Sequence, residues 1–233
     1  YIILCNMKKL ITLYPAVLAL CLLTSCATAR FVSAPDVASI SDMVLIRPYS
    51  IISYYDGKNS GNAVNDSLSV CSEEMISELL LNSPMSVKHM IDLDYSAADA
   101  DFAYGLADVM SYLSTAKRKA IGETRIPYQV DSLLESQGVR YGMLVFAAGF
   151  DKSTKAYVKE MAVDAVVAAL SVALSVMLGG GVAMYGVSLK SSSDIMIAVA
   201  DSETDRFVFF DKSLGQDRNP MDRTSVWKQL DSM

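Results

Sequence analysis

The run Tyr141-Gly142-Met143-Leu144-Val145-Phe146 constrains this chain most. It is almost unbroken in apolar character, and a strand with one wet face would alternate instead. Such a run belongs in the middle of a sheet covered on both sides. With the helical stripes found on either side of it in the chain, the run points to an α/β architecture. The flanks agree. Pro127 suits the first turn of a helix, Gly138 suits its C-cap, and Val130, Leu133 and Leu134 between them face inward. Downstream, Asp194–Asp201 alternates around Ile195, Ile197 and Val199. A polar turn at 201–205 follows, and Arg206–Phe210 returns as the second strand of a late β-hairpin. Pro220 is expected to open a closing C-terminal helix in which Val226, Trp227, Leu230 and Met233 dock.

Upstream, Met43–Ile46 reads as a strand closed by Pro48. Ser50–Val64 carries Asp56-Gly57, Asn59, Gly61 and Asn62, which is turn chemistry. Residues 66–82 form an amphipathic helix with Leu68, Cys71, Met75, Ile76, Leu79 and Leu80 on one stripe. Asn65 or Asp66 caps it, and Asn82-Ser83-Pro84 stops it. Ser86–Leu93 alternates, with Val87, His89, Ile91 and Leu93 on one face. Ser96-Ala97-Ala98-Asp99 has capping-box spacing ahead of a stripe of Phe102, Leu106, Val109, Met110 and Leu113. Ala116–Arg125 reads as a polar, basic connection. The expected order is β-α-β-α-α-β, an apolar insert, a hairpin and a helix. That is a single α/β domain over 42–233, a mixed sheet packed with helices.

Composition sets the compartment. Of 233 residues, 52% are apolar and 20% charged, and mean hydropathy is +0.30. The N-terminus explains part of this. Tyr1–Asn6 read as sequence upstream of the true start at Met7. Lys8 and Lys9 make a positive n-region, and Leu10–Leu23 is an uncharged h-region, too short to span a bilayer. Leu23-Thr24-Ser25-Cys26 resembles the lipobox of bacterial lipoproteins. The resemblance implies diacylglycerol on Cys26, cleavage after Ser25, and acylation of the new amine, with palmitate as a typical chain. Two or three chains anchor stably where one is marginal. Residues 1–25 are then a signal peptide and 26–41 a lipidated tether. No acidic run follows Cys26, which favours an outer-membrane anchor facing the periplasm. Cys5 and Cys21 leave with the leader, and Cys71 is expected to pack as a small hydrophobe on its helix. The mature chain keeps 18 basic and 26 acidic residues, a charge of −8, since the leader removes only Lys8 and Lys9. Without a basic tract it makes a poor nucleic-acid binder.

A wider resemblance rests on the lipobox, on Ile46-Arg47-Pro48 after the opening strand, and on the helix before Gly138 leading into Tyr141–Val145. The hairpin Ile195–Phe210 and the C-terminal helix complete it. This order is similar to a group of bacterial lipoproteins that share a fold with the periplasmic domain of the curli secretion channel lipoprotein and the N-terminal domain of TolB. The resemblance implies a non-enzymatic role in envelope assembly, secretion or structure, with self-association or an envelope protein partner. It supplies no site residues. Residues 162–178 depart from it: they read as helix where the channel lipoprotein has hairpins.

Motifs for chemistry are sparse. His89 is the only histidine, and no G-x-S-x-G, H-E-x-x-H or C-x-x-C occurs, so no cofactor or metal is expected. Gly179-Gly180-Gly181 lacks the third glycine of a dinucleotide loop, because Met184 stands there. Asp92, Asp94, Asp99 and Asp101 cluster, but Tyr104 and Met110 occupy the glycine and glutamate places of a calcium loop. Tyr49, Tyr54 and Tyr55 offer an alternative function, a glycan- or peptide-binding loop. An envelope hydrolase using Asp or Glu pairs is a second alternative, with no positioned acid–base pair to support it.

The Gly-rich insert 162–189 is the last feature. Asp164 and Lys190 bracket 25 residues without a charge, divided by Gly179–Gly181. Ala165, Ala169 and Ala173 make one stripe of small residues, and Ser171, Ser175 and Gly179 another. Such stripes let helices approach closely. The insert is expected to pack on the domain's own sheet, on a second copy, or at the bilayer.

Overall fold

The computed structural model describes residues 31–32, 40, 42–56, 64–85, 87–95, 100–161 and 189–233. Residues 1–25, expected to be a signal peptide, Cys26, and Ala165, Ala169, Ser171, Ala173, Ser175 and Gly179 of the expected insert lie outside the described residues.

The order is β1 (Phe31–Val32), β2 (Met43–Ile46), β3 (Tyr49–Tyr55), α1 (Asp66–Leu81), β4 (Val87–Ile91) and α2 (Ala100–Thr115). There follow α3 (Arg118–Glu123), α4 (Tyr128–Ser136), β5 (Tyr141–Lys152), α5 (Thr154–Met161), β6 (Ser191–Asp201), β7 (Arg206–Gln216) and α6 (Arg223–Asp231). The strands form one seven-stranded mixed sheet in the order β1-β7-β6-β5-β2-β4, with β3 also on β5. The fold is therefore the expected α/β domain, with the late hairpin and the C-terminal helix in place.

β5 is central and runs 12 residues, twice the apolar run that announces it. Its side chains divide between two cores. Leu144, Phe146 and Ala148 meet α2, α3 and α4 through Leu106, Met110, Leu113, Ile121, Val130 and Leu134. Met143, Val145 and Ala147 meet α1 and α6 through Ile76, Leu79, Leu80, Val226 and Leu230. This is the two-sided covering that a continuous apolar strand requires. Gly142 permits close approach of α4: a Cβ there would stand 2.7 Å from Leu134 Cδ2. Gly138, at φ +63°, ends α4 in the left-handed conformation that glycine adopts without strain.

Several expectations need correction. The tether is not free throughout, because Phe31 and Val32 pair with Phe210 and Phe209 at the sheet edge. Pro220 precedes the last helix, which starts at Arg223 under an Asp222 cap whose carboxylate accepts from Ser225 N. Part of the basic connection is the short helix α3, held by fully buried Ile121. Cys71 is exposed rather than packed. His89 is exposed too. The β2–β4 pairing slips between Met43↔Val87 and Leu45↔Met90, so Lys88 and His89 sit on a bulge and the strict alternation fails.

Candidate functional site

The Tyr49–Tyr55 segment is a strand, not a loop. It pairs in parallel with Phe146–Lys152, while β2 pairs in parallel with Tyr141–Met143 on the same side of β5. β2 and β3 are thus two halves of one strand, broken at Arg47-Pro48. Proline lacks the N–H a ladder needs, and the register on β5 shifts by one residue between Leu45↔Met143 and Tyr49↔Phe146. β5 is long enough to hold both halves. The turn-forming residues that hide this strand start only at Asp56.

The break creates the site. Arg47 N donates to Ile91 O at the end of β4, and the Arg47 side chain is left at the gap. Its Nε lies 3.2 Å from Glu73 Oε2 and its Nη1 2.7 Å from Asp92 Oδ1. Tyr95 Oη donates to the Arg47 carbonyl. Beyond the break, the outer edge of β3 meets helix α1 rather than another strand. Ser50 N donates to Glu73 Oε1, Ile52 N to Ser69 Oγ, and the Ser50 and Ser72 hydroxyls bond at 3.1 Å. An uncovered strand edge is a template for aggregation, and here polar helix side chains satisfy it. That explains why α1 buries Ser69, Ser72 and Glu73 alongside Ile76, Leu79 and Leu80, while buried Ser77 donates to the Glu73 carbonyl of its own helix. The apolar stripe expected from Leu68 through Leu80 holds only in its second half.

A cleft of about 1050 Å³ opens between these parts. Arg47, Tyr49, Glu73, Asp92, Asp94 and Tyr95 are among its lining residues. Burial pushes the Glu73 carboxyl above its usual range, against the pull of the Ser50 N–H and the Arg47 guanidinium. Burial also raises the Tyr49 hydroxyl. Tyr49 stacks edge-on to Tyr95 at 5.1 Å and to Phe146 at 5.9 Å, and Tyr95 lies over Phe102 at 6.3 Å. These rings engage one another, so the aromatic platform expected of Tyr49, Tyr54 and Tyr55 does not form. Tyr55 turns instead to Phe150.

Chemically, the cleft offers an arginine already shared by two carboxylates. Of the aspartate cluster, Asp92 serves Arg47, Asp101 sits in the first turn of α2, and Asp99 lies outside the described residues. Among the described residues no group of three or more His, Cys, Asp or Glu is placed to hold a metal ion. No helix among them is long and apolar enough to cross a membrane. Nothing local in the sequence marks Glu73, Asp92 and Tyr95 as partners of Arg47. The one readable signal was Arg47-Pro48, a charged residue at a forced strand break.

No family model matches the chain, and no curated protein matches it. Among solved structures, it is similar to the PelC dodecamer from Paraburkholderia phytofirmans at 8% identity and a TM-score of 0.36. That match covers 88% of this chain and 92% of that one. It is also similar to the LpoB C-terminal domain from Salmonella enterica at 10% identity and a TM-score of 0.30, covering 76% and 83%.

Proposed function

We propose that this chain is a lipid-anchored protein of the bacterial envelope, working by binding and assembly rather than by catalysis, on the periplasmic side of the outer membrane. The observation that carries the reading is Leu23-Thr24-Ser25-Cys26, placed directly after a short basic and apolar leader. The cleft supports its second half. Arg47 is matched by Glu73 and Asp92, which is an arrangement for holding β2, β3, β4 and α1 together. A general acid or base would instead need a side chain free to trade a proton with substrate. The envelope-hydrolase alternative therefore gains no support from this cleft.

Fractionation and mass spectrometry test the anchor. The wild-type protein is expected in the membrane fraction with an acylated Cys26 at its N-terminus, and Cys26→Ser is expected in the soluble fraction. An unmodified terminus elsewhere, or an intact leader, overturns the reading.

A second reading keeps a ligand in the cleft. Its volume matches the upper range of small-molecule sites, and Tyr49, Tyr95 and Asp94 line it. A glycan and peptide array probes it, with loss of any hit in Tyr95→Ala as the check.

A further inference from the structure

The folded chain begins, in its described part, at the edge of the sheet where α3 packs. A Cβ at Gly122 of α3 would stand 2.6 Å from Phe31 Cζ, so the end of the β1 aromatic ring fits into the space a side chain there would fill. Ile121, Ile126 and Phe31 share one buried cluster. Cys26 precedes Phe31 by five residues. A fully extended chain of that length reaches at most about 18 Å. A lipid on Cys26 therefore ties this edge of the domain, and not another, to the bilayer.

That same edge is where basic side chains gather. Lys117, Arg118 and Lys119 are exposed at the start of α3, and Arg125 is exposed just after it. Arg125 and Arg206 face each other across an isolated β-bridge. Among the described residues two carboxylates pair with these five cations: Glu123 beside Lys119, and Asp205 beside Arg125. Lys117 and Arg118 have no ion-pair partner among the described residues. Tyr112 and Tyr128 flank α3 in the chain at 51% and 80% exposure. Tyrosine, apolar in body and polar at its tip, suits a headgroup layer.

We propose that this α3 face docks on the anionic headgroups of the bilayer holding the anchor, so that the domain lies β1 edge down. The proposal rests on the lipid anchor for its orientation and on the basic face for its chemistry. Cations near an anionic surface each raise binding roughly fivefold, and the effect decays within about 10 Å of the surface.

Two measurements test it. In the first, the chain with its leader removed and Cys26→Ser is sedimented with phosphatidylcholine vesicles, with and without phosphatidylglycerol. Binding is expected only with phosphatidylglycerol, to weaken with salt, and to fall on the order of 100-fold in Lys117→Ala/Arg118→Ala/Lys119→Ala. In the second, the lipidated protein in phosphatidylglycerol vesicles carries a fluorophore either at Cys71 on α1 or, in a Cys71→Ser background, at Thr115→Cys beside α3. Nitroxide headgroups are expected to quench position 115 several-fold more than position 71, and the triple variant to remove the difference. Equal quenching in a protein whose acylated terminus is confirmed, or binding indifferent to phosphatidylglycerol, overturns the docking face. If mass spectrometry finds no acylation, the anchor reading fails, and the sedimentation result still decides whether the α3 face binds anionic lipid.

Discussion

Arg47 and Glu73, 26 residues apart, meet at 3.2 Å where one strand breaks and a helix covers its edge. Glu73 is almost fully buried, with its other oxygen accepting from Ser50 N. The pair thus joins β2, β3 and α1 at one point, and Asp92 extends it to the segment after β4.

Removing the cation leaves a buried carboxylate with one donor. Arg47→Met is expected to cost about 3 kcal/mol, because an unpaired buried charge loses more than the pair contributes. Adding Glu73→Gln keeps an acceptor for Ser50 N and removes the charge, so the double variant should recover much of the loss. Urea denaturation with unchanged slope is the measurement. A wild-type midpoint for Arg47→Met alone contradicts the role given to the pair.

Asp194 gives a pH signature. Burial raises its carboxyl from 3.8 to about 6, against the Gly215 N–H and the charge of Lys212. Between pH about 4 and about 6 the folded state then binds more protons than the unfolded one, so this group makes stability fall as pH rises. The full drop is about 3 kcal/mol, complete above pH about 6. Asp194→Asn retains an oxygen for Gly215 N and should be more stable than wild type at pH 7 by on the order of 2 kcal/mol. The stability difference between the two proteins, followed from pH 4 to 7 in urea, checks the sign.

Two glycines of β5 should respond differently to alanine. At Gly142 the added Cβ meets a leucine tip at 2.7 Å, which can turn aside. At Gly149 it meets the Ser192 carbonyl oxygen at 2.5 Å and Pro220 at 2.9 Å, and backbone cannot turn aside. Gly142→Ala is expected to cost about 1 kcal/mol and Gly149→Ala about 3 kcal/mol or more. Equal thermal midpoints for the two variants would contradict the packing described.

Val145 is completely buried in the central strand. Val145→Asp places a carboxylate there without a partner, at several kcal/mol against a total stability of roughly 5–15 kcal/mol. The variant should not melt cooperatively in circular dichroism, whereas Val145→Ile should.

Phe31 tests whether β1 belongs to the domain. Phe31→Ala is expected to lower stability by about 2 kcal/mol, less than a central aromatic because the site lies at the sheet edge. An unchanged midpoint would return residues 27–41 to a simple tether.

What the sequence determined by itself was whatever short-range chemistry specifies. Tyr141–Phe146 declares a covered strand by composition alone. Pro127 and Gly138 bound α4 because one presets a helical φ and the other accepts a positive one. The hairpin of β6 and β7 joins neighbours in sequence, so a polar turn suffices to announce it. Tertiary structure decided what depends on distant partners. β3 looked like a loop because its pairing energy comes from β5, some 97 residues on in register (Tyr49↔Phe146). β1 looked like a tether because its partner is β7. Ser69, Ser72 and Glu73 fall outside the apolar stripe of α1 yet are buried, because polar groups are buried where partners wait, and here those are the Ser50 and Ile52 N–H groups and the Ser50 hydroxyl of β3. The cleft at Arg47 is likewise a product of chain crossing, since Arg47, Glu73 and Asp92 acquire a shared location only when the backbone brings their elements together; the basic character of α3 is legible locally in 116–125, and the fold adds Arg206 and its place beside β1.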